Sequence, residues 1–343
     1  MRRWTSLMVS LLAVAAVLAG CGSKSDVNEG AVTVEGSTTT GPGGGEAGSA
    51  DLPGGARAVR IAVVTHGQAS SPFWAIVRNG VEAAGRQVDA VVSYKAPDVY
   101  SLQHMVALID QAVASKPDGL VVSFPEAGLA PAIRRAVKAG IPTVTINSGS
   151  DMYKSLGVLA HVDQPERDAG LKAGQRLAHE GVRRALCVNL LIPNVGLDAR
   201  CAGLQQAMKA VDGRSTVVRI DDQAANAPQR IRAAVQRARA QGVLTMNGTS
   251  GVAAAKGLAD DPDVTIGTFD LGPDVLNLVK DGKIAFAVDQ QAYLQGYLPV
   301  VLLAERARYG IFPAQGDVIP TGPNFVTASN AAKAIALSAR SIR

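Results

Sequence analysis

The chain has 343 residues and a formal net charge of +5, with 47% hydrophobic, 18% charged and 4% aromatic residues. This composition argues against a disordered chain, and the absence of a long basic cluster argues against a nucleic-acid-binding protein. Four histidines without paired spacing give no support for a metal site, so neither a metal nor another cofactor is expected.

The first 56 residues predict an export signal and a tether. Two arginines precede an apolar segment, residues 7–18, which is typical of a secretory signal and too short to span a membrane. Its ending, Leu18-Ala-Gly-Cys21, resembles the lipobox of bacterial lipoproteins. This implies removal of residues 1–20 and lipidation of Cys21 at the outer face of the cytoplasmic membrane, whereas a soluble export signal with a coincidental cysteine is the alternative. Residues 21–56 are rich in Gly, Ser and Thr and predict a flexible tether.

Beyond residue 56, short β-branched segments alternate with longer helical patterns. This alternation predicts βαβ units and parallel sheets. The units are too numerous for one small sheet, so two doubly wound α/β lobes with a ligand cleft between their strand ends are expected. The predicted strands are Val59–Val64, Val88–Ser93, Gly119–Ser123, Thr143–Ile146, Gly157–His161, Ala185–Leu190, Thr216–Ile220, Val243–Met246, Thr265–Thr268 and Ile284–Asp289. The predicted helices are Phe73–Arg86, Ser101–Ser115, Leu129–Ala139, Glu166–His179, Leu197–Val211, Pro228–Ala240, Ser250–Ala259, Pro273–Asp281 and about Tyr293 to Arg308.

The turn after the first predicted strand is a candidate ligand contact. Ser71 and Pro72 suit an N-cap and a first helical position, so the aromatic pair Phe73 and Trp74 begins a helix at the carboxyl end of the strand. With His66 and Ser71, these aromatics offer a flat apolar face beside hydrogen-bonding groups, which suits a sugar better than a phosphate. Ordinary core positions for both aromatics are the alternative.

Polar residues also follow several later predicted strands. Asn147, Asn247, Asp270 and Gln290 each occupy such a strand end, where an N-cap or a turn is the competing explanation. Arg200 lies early on a predicted helix, where the helix dipole disfavours a cation. An acceptor-rich ligand or a neighbouring carboxylate would compensate for this.

Whether the two remaining cysteines, Cys187 and Cys201, form a disulfide depends on the cellular compartment and on how the chain packs. Export to an oxidising space would allow a disulfide between them. Because disulfide geometry is demanding, the pairing requires a close approach of the predicted strand and the helix that follows it. The sequence leaves this pairing open.

The order of these motifs resembles the ribose- and galactose-type periplasmic sugar-binding proteins that supply ABC importers. The resemblance extends over about residues 59–326 and rests on Ser71-Pro-Phe-Trp74, Ile141-Pro-Thr-Val-Thr-Ile-Asn147-Ser148, Arg200-Cys-Ala-Gly-Leu204, Asn247, Gly267-Thr-Phe-Asp270 and Asp281-Gly-Lys283 to Gln290. It implies two lobes joined by a three-crossing hinge, as in type I periplasmic binding proteins. Residues 57–163 plus 292–318 would form the N-terminal lobe, and residues 164–291 plus 319–343 would form the C-terminal lobe.

The same resemblance implies the roles of the candidate residues. Phe73 or Trp74 would stack on a sugar ring, and the hydroxyls would be bound by Arg200, Asn247, Asp270 and Gln290. It further implies a monomer that is not an enzyme, binds a sugar or polyol, delivers it to an ABC permease, and contacts the membrane through its lipid anchor.

Two departures from the family pattern leave the particular sugar open. Asn147-Ser148 replaces the Asp-Arg pair of ribose binders, and Ala224-Ala225 replaces an aromatic residue expected from the C-terminal lobe. Compensating contacts would come from His66, Glu126 and Asn194.

Three other functions compete with transport. A receptor that reports a polyol or another small polar solute to a membrane sensor would share the same fold, and a sugar-responsive repressor is disfavoured by the lipobox-like segment. An enzyme is disfavoured because the first strand is not followed by Gly-x-Gly-x-x-Gly and no Gly-x-Ser-x-Gly elbow is found.

Overall fold

The computed structural model describes residues 57–67, 71–313, 316–338 and 342. The predicted signal peptide, Cys21 and the predicted tether lie outside these residues. Among the residues described, no helix combines the length and the hydropathy that crossing a membrane requires.

The described residues alternate between strands and helices along almost their whole length. The strands are β1 (Val59–Val64), β2 (Ala90–Lys95), β3 (Gly119–Ser123), β4 (Thr143–Ile146), β5 (Ala160–Asp163), β6 (Arg184–Leu190), β7 (Arg214–Ile220), β8 (Gly242–Thr245), β9 (Thr265–Phe269), β10 (Phe286–Asp289), β11 (Val318–Pro320) and β12 (Asn324–Val326). The helices are α1 (Pro72–Gln87), α2 (Leu102–Ala114), α3 (Ala130–Lys138), α4 (Glu166–His179), α5 (Val195–Lys209), α6 (Ala227–Ala238), α7 (Gly248–Gly257), α8 (Pro273–Lys280), α9 (Ala292–Tyr309) and α10 (Ala331–Ser338).

The strands form two separate sheets, which confirms the predicted doubly wound α/β class with two lobes. The first sheet has the order β2-β1-β3-β4-β5-β11, and all its pairs are parallel. The second has the order β7-β6-β8-β9-β10-β12 and is parallel except for β10 and β12. In both sheets the strand order reverses beside the first strand, which is where ligands bind in open α/β sheets.

Apolar layers cover both faces of each sheet. In the N-terminal lobe, one layer joins the sheet to α2 and α3, and the other joins it to α1 and α9. In the C-terminal lobe, α4 and α5 cover one face, while α6, α7, α8 and α10 cover the other. Burial on both faces explains why strands such as β3 are apolar throughout and show no alternation.

Helix α9 follows the C-terminal lobe in sequence but packs on the N-terminal lobe. It crosses α1 at a very close approach, because a Cβ atom at Gly296 would lie 2.0 Å from the backbone oxygen of Val77. Only glycine permits this distance, so the backbone of α9 is firmly seated against α1.

Three segments connect the lobes, as the type I fold requires. They are residues 163–165, from the last residue of β5 to the start of α4, residues 290–292, from the end of β10 to the first residue of α9, and residues 321–323 between β11 and β12. All three residues of β11 pair with β5 of the N-terminal lobe, so the boundary expected after residue 318 divides this strand. The remaining lobe limits stay predictions.

Three strands begin later than expected: β2, β5 and β10, the last of which begins at Phe286 and not at Ile284. For β2 and β5, local backbone geometry explains the delay. Helix α1 continues to Gln87 and is followed by Asp89 with a φ of 45°, so β2 begins at Ala90. A 3₁₀ turn over Tyr153–Leu156 ends at Gly157 with a φ of 77°, so β5 begins at Ala160. Strands β11 and β12 and helix α10 were not predicted.

Candidate ligand-binding site

A cavity of about 340 Å³ lies at the carboxyl ends of the strands and is lined by both lobes. It brings together nine of the residues that the sequence singles out, although their contact with a ligand stays a prediction. They are His66, Ser71, Phe73, Trp74, Asn147, Arg200, Asn247, Asp270 and Gln290.

The N-terminal lobe supplies an aromatic wall. Phe73 and Trp74 meet edge to face, with ring centroids 5.1 Å apart, and His66 lies edge-on to the indole at 4.8 Å. Trp74 is also part of the apolar core, so the two interpretations of this residue are compatible. A Cβ atom at Gly67 would lie 1.7 Å from Trp74 Nε1, so the indole rests directly on the turn. The hydroxyl of Ser71, the N-cap of α1, makes no capping hydrogen bond.

The C-terminal lobe supplies an aliphatic wall that sequence reasoning missed. Its members lie at the carboxyl ends of β6, β8 and β9 or in the helices that follow these strands. They are Leu190, Leu197, Met246, Val252, Leu271 and Val275. The described lining residues of this lobe include no aromatic side chain, in agreement with Ala224-Ala225 at the position where one was expected. Apolar residues after a strand give no local signal that distinguishes cavity from core.

Arg200 is neutralised by a carboxylate, which is one of the two alternatives that the sequence left open. Its Nε and Nη2 donate to Glu166 at 2.5 and 2.7 Å, and its Nη1 donates to the backbone oxygen of Met246 at 3.0 Å. Arg200 and Glu166 are 2% and 1% exposed, and the guanidinium carbon lies 4.2 Å from the ring centre of Phe269. The described residues thus accept three of its five N–H bonds, and the other two remain for a cavity occupant.

Burial and ion pairing have opposite effects on the pKa values of Arg200 and Glu166. Burial alone would lower the pKa of Arg200, but the charge of Glu166 outweighs it and the pKa is raised. Burial raises the pKa of Glu166, and the charge of Arg200 opposes that shift. Glu166 also accepts from Gln164 Nε2 at 3.0 Å, so its carboxylate is held by three hydrogen bonds from two residues.

Asp270 and Gln290 form a hydrogen-bonded pair in the cavity wall. Gln290 Nε2 donates to Asp270 Oδ1 at 2.5 Å, and Asn147 Nδ2 lies 3.4 Å from Gln290 Oε1. Burial raises the pKa of Asp270 to about 6, with the charge of Arg200 opposing the shift. The N-cap of α8 is Gly272, so Asp270 does not cap that helix.

Asn247 has the capping role that was its alternative interpretation, and it also lines the cavity. Its Oδ1 accepts from the backbone nitrogen of Ser250 at 2.9 Å, which caps α7. Its Nδ2 donates to Asp222 Oδ2 at 2.8 Å. Any hydrogen bond from Asn247 to a ligand would therefore compete with, or add to, these two contacts.

The lobes touch across the cavity through Asn194, the N-cap of α5. Its Oδ1 accepts from the backbone nitrogens of Gly196 and Leu197, and Ser148 Oγ of the other lobe lies 3.0 Å from the same oxygen. These donors fix the amide orientation, so Nδ2 donates to His66 Nε2 at 3.4 Å.

His66 has its other nitrogen turned into the N-terminal lobe. Its Nδ1 lies 2.9 Å from Ser123 Oγ, and burial lowers the pKa of His66 to about 3, so the imidazole is neutral at physiological pH. Glu126, the third compensating candidate, hydrogen-bonds Tyr100 and is not among the cavity-lining residues.

A disulfide joins Cys187 of β6 to Cys201 of α5, with a Cα–Cα distance of 5.8 Å. It connects the residue next to Arg200 to the central part of the second sheet. Among the described residues, no group of three or more His, Cys, Asp or Glu is placed to hold a metal ion.

Comparisons with known proteins agree with this geometry. Residues 61–310 match the family model described as the periplasmic binding protein domain. A carbohydrate transporter from Acidothermus cellulolyticus 11B, solved in complex with myo-inositol, is 33% identical with a TM-score of 0.76, and the match covers 84% of this chain and 100% of that one.

Two further proteins are more distantly similar, the first in sequence and the second in structure. A xylose/arabinose-binding protein of Sulfolobus acidocaldarius is 24% identical over 299 residues, covering 79% of this chain and 71% of the relative. The XylFII–LytSN complex contains a chain that is 22% identical with a TM-score of 0.69, and the match covers 80% of this chain and 99% of that one. Because the family model spans more than half of its residues, the chain belongs to the periplasmic binding protein domain family.

Proposed function

We propose that this protein captures an uncharged sugar or polyol between its lobes and delivers it to an ABC import permease. One observation carries the proposal: nine residues chosen from motifs scattered between positions 66 and 290 line a single cavity. Both lobes contribute to its wall, so closure about the three crossings would enclose the ligand and create a shape that a permease can recognise.

The charges around the cavity favour an uncharged ligand. Arg200 is the one cationic side chain among the described lining residues at neutral pH, and Glu166 already compensates its charge. Asp270 and Asp274 add negative charge to the wall. A sugar acid or a phosphorylated sugar would therefore bring an anion to a wall whose net charge is already negative.

The hydrogen-bonding groups suit hydroxyls. A hydroxyl both donates and accepts, and the wall offers the remaining N–H bonds of Arg200, the carboxylate of Asp270 and the amides of Asn147 and Gln290. Because closure would exclude water, an unmatched hydroxyl costs about 1–3 kcal/mol, which provides selectivity. The aromatic and aliphatic walls would contact the apolar faces of the ring.

The relatives indicate which compounds to test first. The transporter from Acidothermus cellulolyticus was solved with myo-inositol, and the Sulfolobus acidocaldarius protein is named for xylose and arabinose. A cyclic polyol and aldopentoses are thus the leading candidates for this cavity.

A thermal-shift screen tests the proposal. At 100 times its dissociation constant, a ligand stabilises the folded state by about 2.7 kcal/mol. At roughly 2 °C per kcal/mol for a protein of this size, we expect an increase of about 5 °C in Tm for at least one of myo-inositol, xylose, arabinose, glucose and galactose.

Two controls accompany the screen. Glucuronate should give no shift, and Asp270→Asn should lose the shift while keeping the ligand-free Tm, because the amide oxygen still accepts from Gln290. If none of the five compounds changes the Tm, binding of a simple sugar or polyol is refuted.

Attachment to the membrane through Cys21 is part of the proposal and is supported by the segment Leu18-Ala-Gly-Cys21. We expect Cys21→Ser to move the protein from the membrane fraction to the soluble fraction without changing its affinity for the ligand. Membrane fractionation and mass spectrometry of the amino-terminal peptide would detect the change.

A receptor that reports its ligand to a second membrane protein is the alternative. The same fold occurs in the XylFII–LytSN complex, so association with a protein other than a permease is compatible with this architecture. Uptake of radiolabelled ligand distinguishes the two functions, because deletion of the gene abolishes uptake by an importer and leaves it intact for a receptor.

A further inference from the structure

Gln295 of α9 is fully buried and lies where the three interlobe crossings converge. Its Nε2 is 3.3 Å from Asp163 Oδ1 in the first crossing and 3.3 Å from Thr321 Oγ1 in the third. From the second crossing, Gln290 presents its backbone oxygen at 3.3 Å and its Oε1 at 3.0 Å. One amide nitrogen thus contacts every segment that connects the lobes.

The other end of the same amide contacts the cavity wall. Gln295 Oε1 accepts from Asn147 Nδ2 at 3.1 Å, and Asn147 lines the cavity. Gln290, which receives a hydrogen bond from Gln295, donates in turn to Asp270. A continuous chain of hydrogen bonds therefore runs from Asp270 in the cavity to the hinge.

The side-chain nitrogen of Gln295 has fewer hydrogens than it has nearby acceptors, so it can exchange one acceptor for another. A primary amide has two N–H bonds, whereas four acceptors from three crossings surround this nitrogen. The acceptors share the hydrogens, so a small shift of one crossing redistributes them and does not leave the donor unsatisfied. This allows the crossings to move while the buried polar groups remain paired.

The backbone under Gln295 is fixed. Its neighbour Gly296 is packed against the backbone of α1 at a distance that admits no side chain. Any change in hydrogen bonding at this position is therefore absorbed by the crossings and by Asn147, not by a movement of α9.

We propose that Gln295 is a positioning residue that couples the occupied cavity to the hinge through Gln290 and Asn147. It does not line the cavity itself. A ligand that forms hydrogen bonds with Gln290 or Asp270 changes how the two N–H hydrogens of Gln295 are distributed among the crossings. This redistribution favours one arrangement of the lobes. The inference rests on the proposed interlobe binding function.

The test compares Gln295→Met with Gln295→Glu and a matched control. Methionine keeps the length of the side chain without hydrogen bonds, and glutamate keeps the acceptor for Asn147 while offering at most one hydrogen, from a protonated carboxyl, where the amide offers two. The control is Thr143→Val, which removes the buried hydrogen bond from Thr143 Oγ1 to the backbone oxygen of Ile141 at the opposite end of the first sheet.

Hydrogen exchange of the ligand-free full chain is the first measurement. We expect both Gln295 variants to exchange at least about tenfold faster at the non-proline amides of all three crossings, residues 163–165, 290–292 and 321–323, because the four acceptors there lose one or both of the hydrogens that they share. The Thr143→Val chain should exchange like wild type there. Unchanged exchange at the first and third crossings in Gln295→Glu overturns the proposal, and this variant decides the outcome if Gln295→Met does not fold.

Affinity for myo-inositol, xylose and arabinose is the second measurement. We expect the Gln295 variants to weaken binding by about tenfold and Thr143→Val to leave it within twofold. An equal loss in all three variants would contradict coupling. If wild type binds none of these probes, the proposed function fails, whereas the exchange measurement still decides the role of Gln295 in the hinge.

Discussion

The buried ion pair between Arg200 and Glu166 should dominate the stability of the cavity wall. Substitution Glu166→Ala leaves the guanidinium buried without its partner at 2.5–2.7 Å. Breaking such a pair costs about 3–5 kcal/mol because the remaining charge stays desolvated. At roughly 2 °C per kcal/mol, the Tm should fall by about 6–10 °C.

The same helix provides a matched control. Asp168 pairs with Lys172 at 2.8 Å, which is close to the Arg200–Glu166 distances, but these two side chains are 43% and 50% exposed. Exposed pairs contribute about 0–1 kcal/mol, so Asp168→Ala should change the Tm by less than about 2 °C. Since both substitutions remove a first-turn carboxylate from α4, burial is the main difference between them.

Urea unfolding of wild type, Glu166→Ala, Asp168→Ala and Glu166→Gln gives the free energies of unfolding. The Gln variant keeps the shape of Glu166 and removes its charge, so a loss close to that of Glu166→Ala assigns the effect to electrostatics. If Glu166→Ala costs no more than Asp168→Ala, burial does not control the strength of this pair and the reasoning is wrong.

Three further predictions concern a charged residue of the cavity, a contact between the lobes and the disulfide. Because the pKa of Asp270 is about 6, the ionised fraction falls about tenfold between pH 7 and pH 5, so calorimetry should show about tenfold weaker sugar or polyol binding at pH 5. Asn194→Ala removes the amide that bridges the lobes and caps α5. We expect the free energy of unfolding to fall by about 1 kcal/mol, which lowers the Tm, and ligand dissociation measured by stopped-flow fluorescence to become faster. Reduction of the Cys187–Cys201 disulfide, which closes a loop of 14 residues, should lower the free energy of unfolding by about 3 kcal/mol in urea titrations.

Each of these predictions has a contrary outcome. Equal affinities at pH 5 and pH 7 would mean that ionised Asp270 does not bind the ligand. Asn194→Ser keeps a capping oxygen and loses the donor to His66, so an unchanged dissociation rate in this variant would exclude a role for the Asn194–His66 hydrogen bond in holding the lobes together. Identical urea curves with and without reductant would exclude a stabilising disulfide.

The sequence predicted the sheets well because their strands carry strong local signals. Segments such as Gly119–Ser123 are apolar, short and bounded by helix stops, so their place in a buried parallel sheet follows from composition alone. Strand β11 (Val318–Pro320) has three residues and no periodicity, and it exists because it pairs with β5. Non-local pairing of this kind leaves no pattern in the segment itself.

The candidate site likewise contains residues that local sequence signals could predict and residues that only the folded chain brings together. Positions after strands could be chosen from motifs, since the carboxyl ends of parallel strands share one edge. Glu166 was missed because its partner Arg200 is 34 residues away on another helix. Gln295 was missed because its importance comes from the convergence of three crossings, which is a property of the folded chain.

The late position of helix α9 sets an order for folding during synthesis and export. Residues 164–291 contain β6 to β10 and their helices, so most of the C-terminal lobe is available as one uninterrupted piece of chain. Strands β1 and β3, in contrast, have one face covered only by α1 until Val300 and Leu303 of α9 arrive more than 200 residues after Val59. The lobe that is translated first therefore cannot complete its core until most of the chain has been made, and during this interval the incompletely covered face of its sheet is open to aggregation.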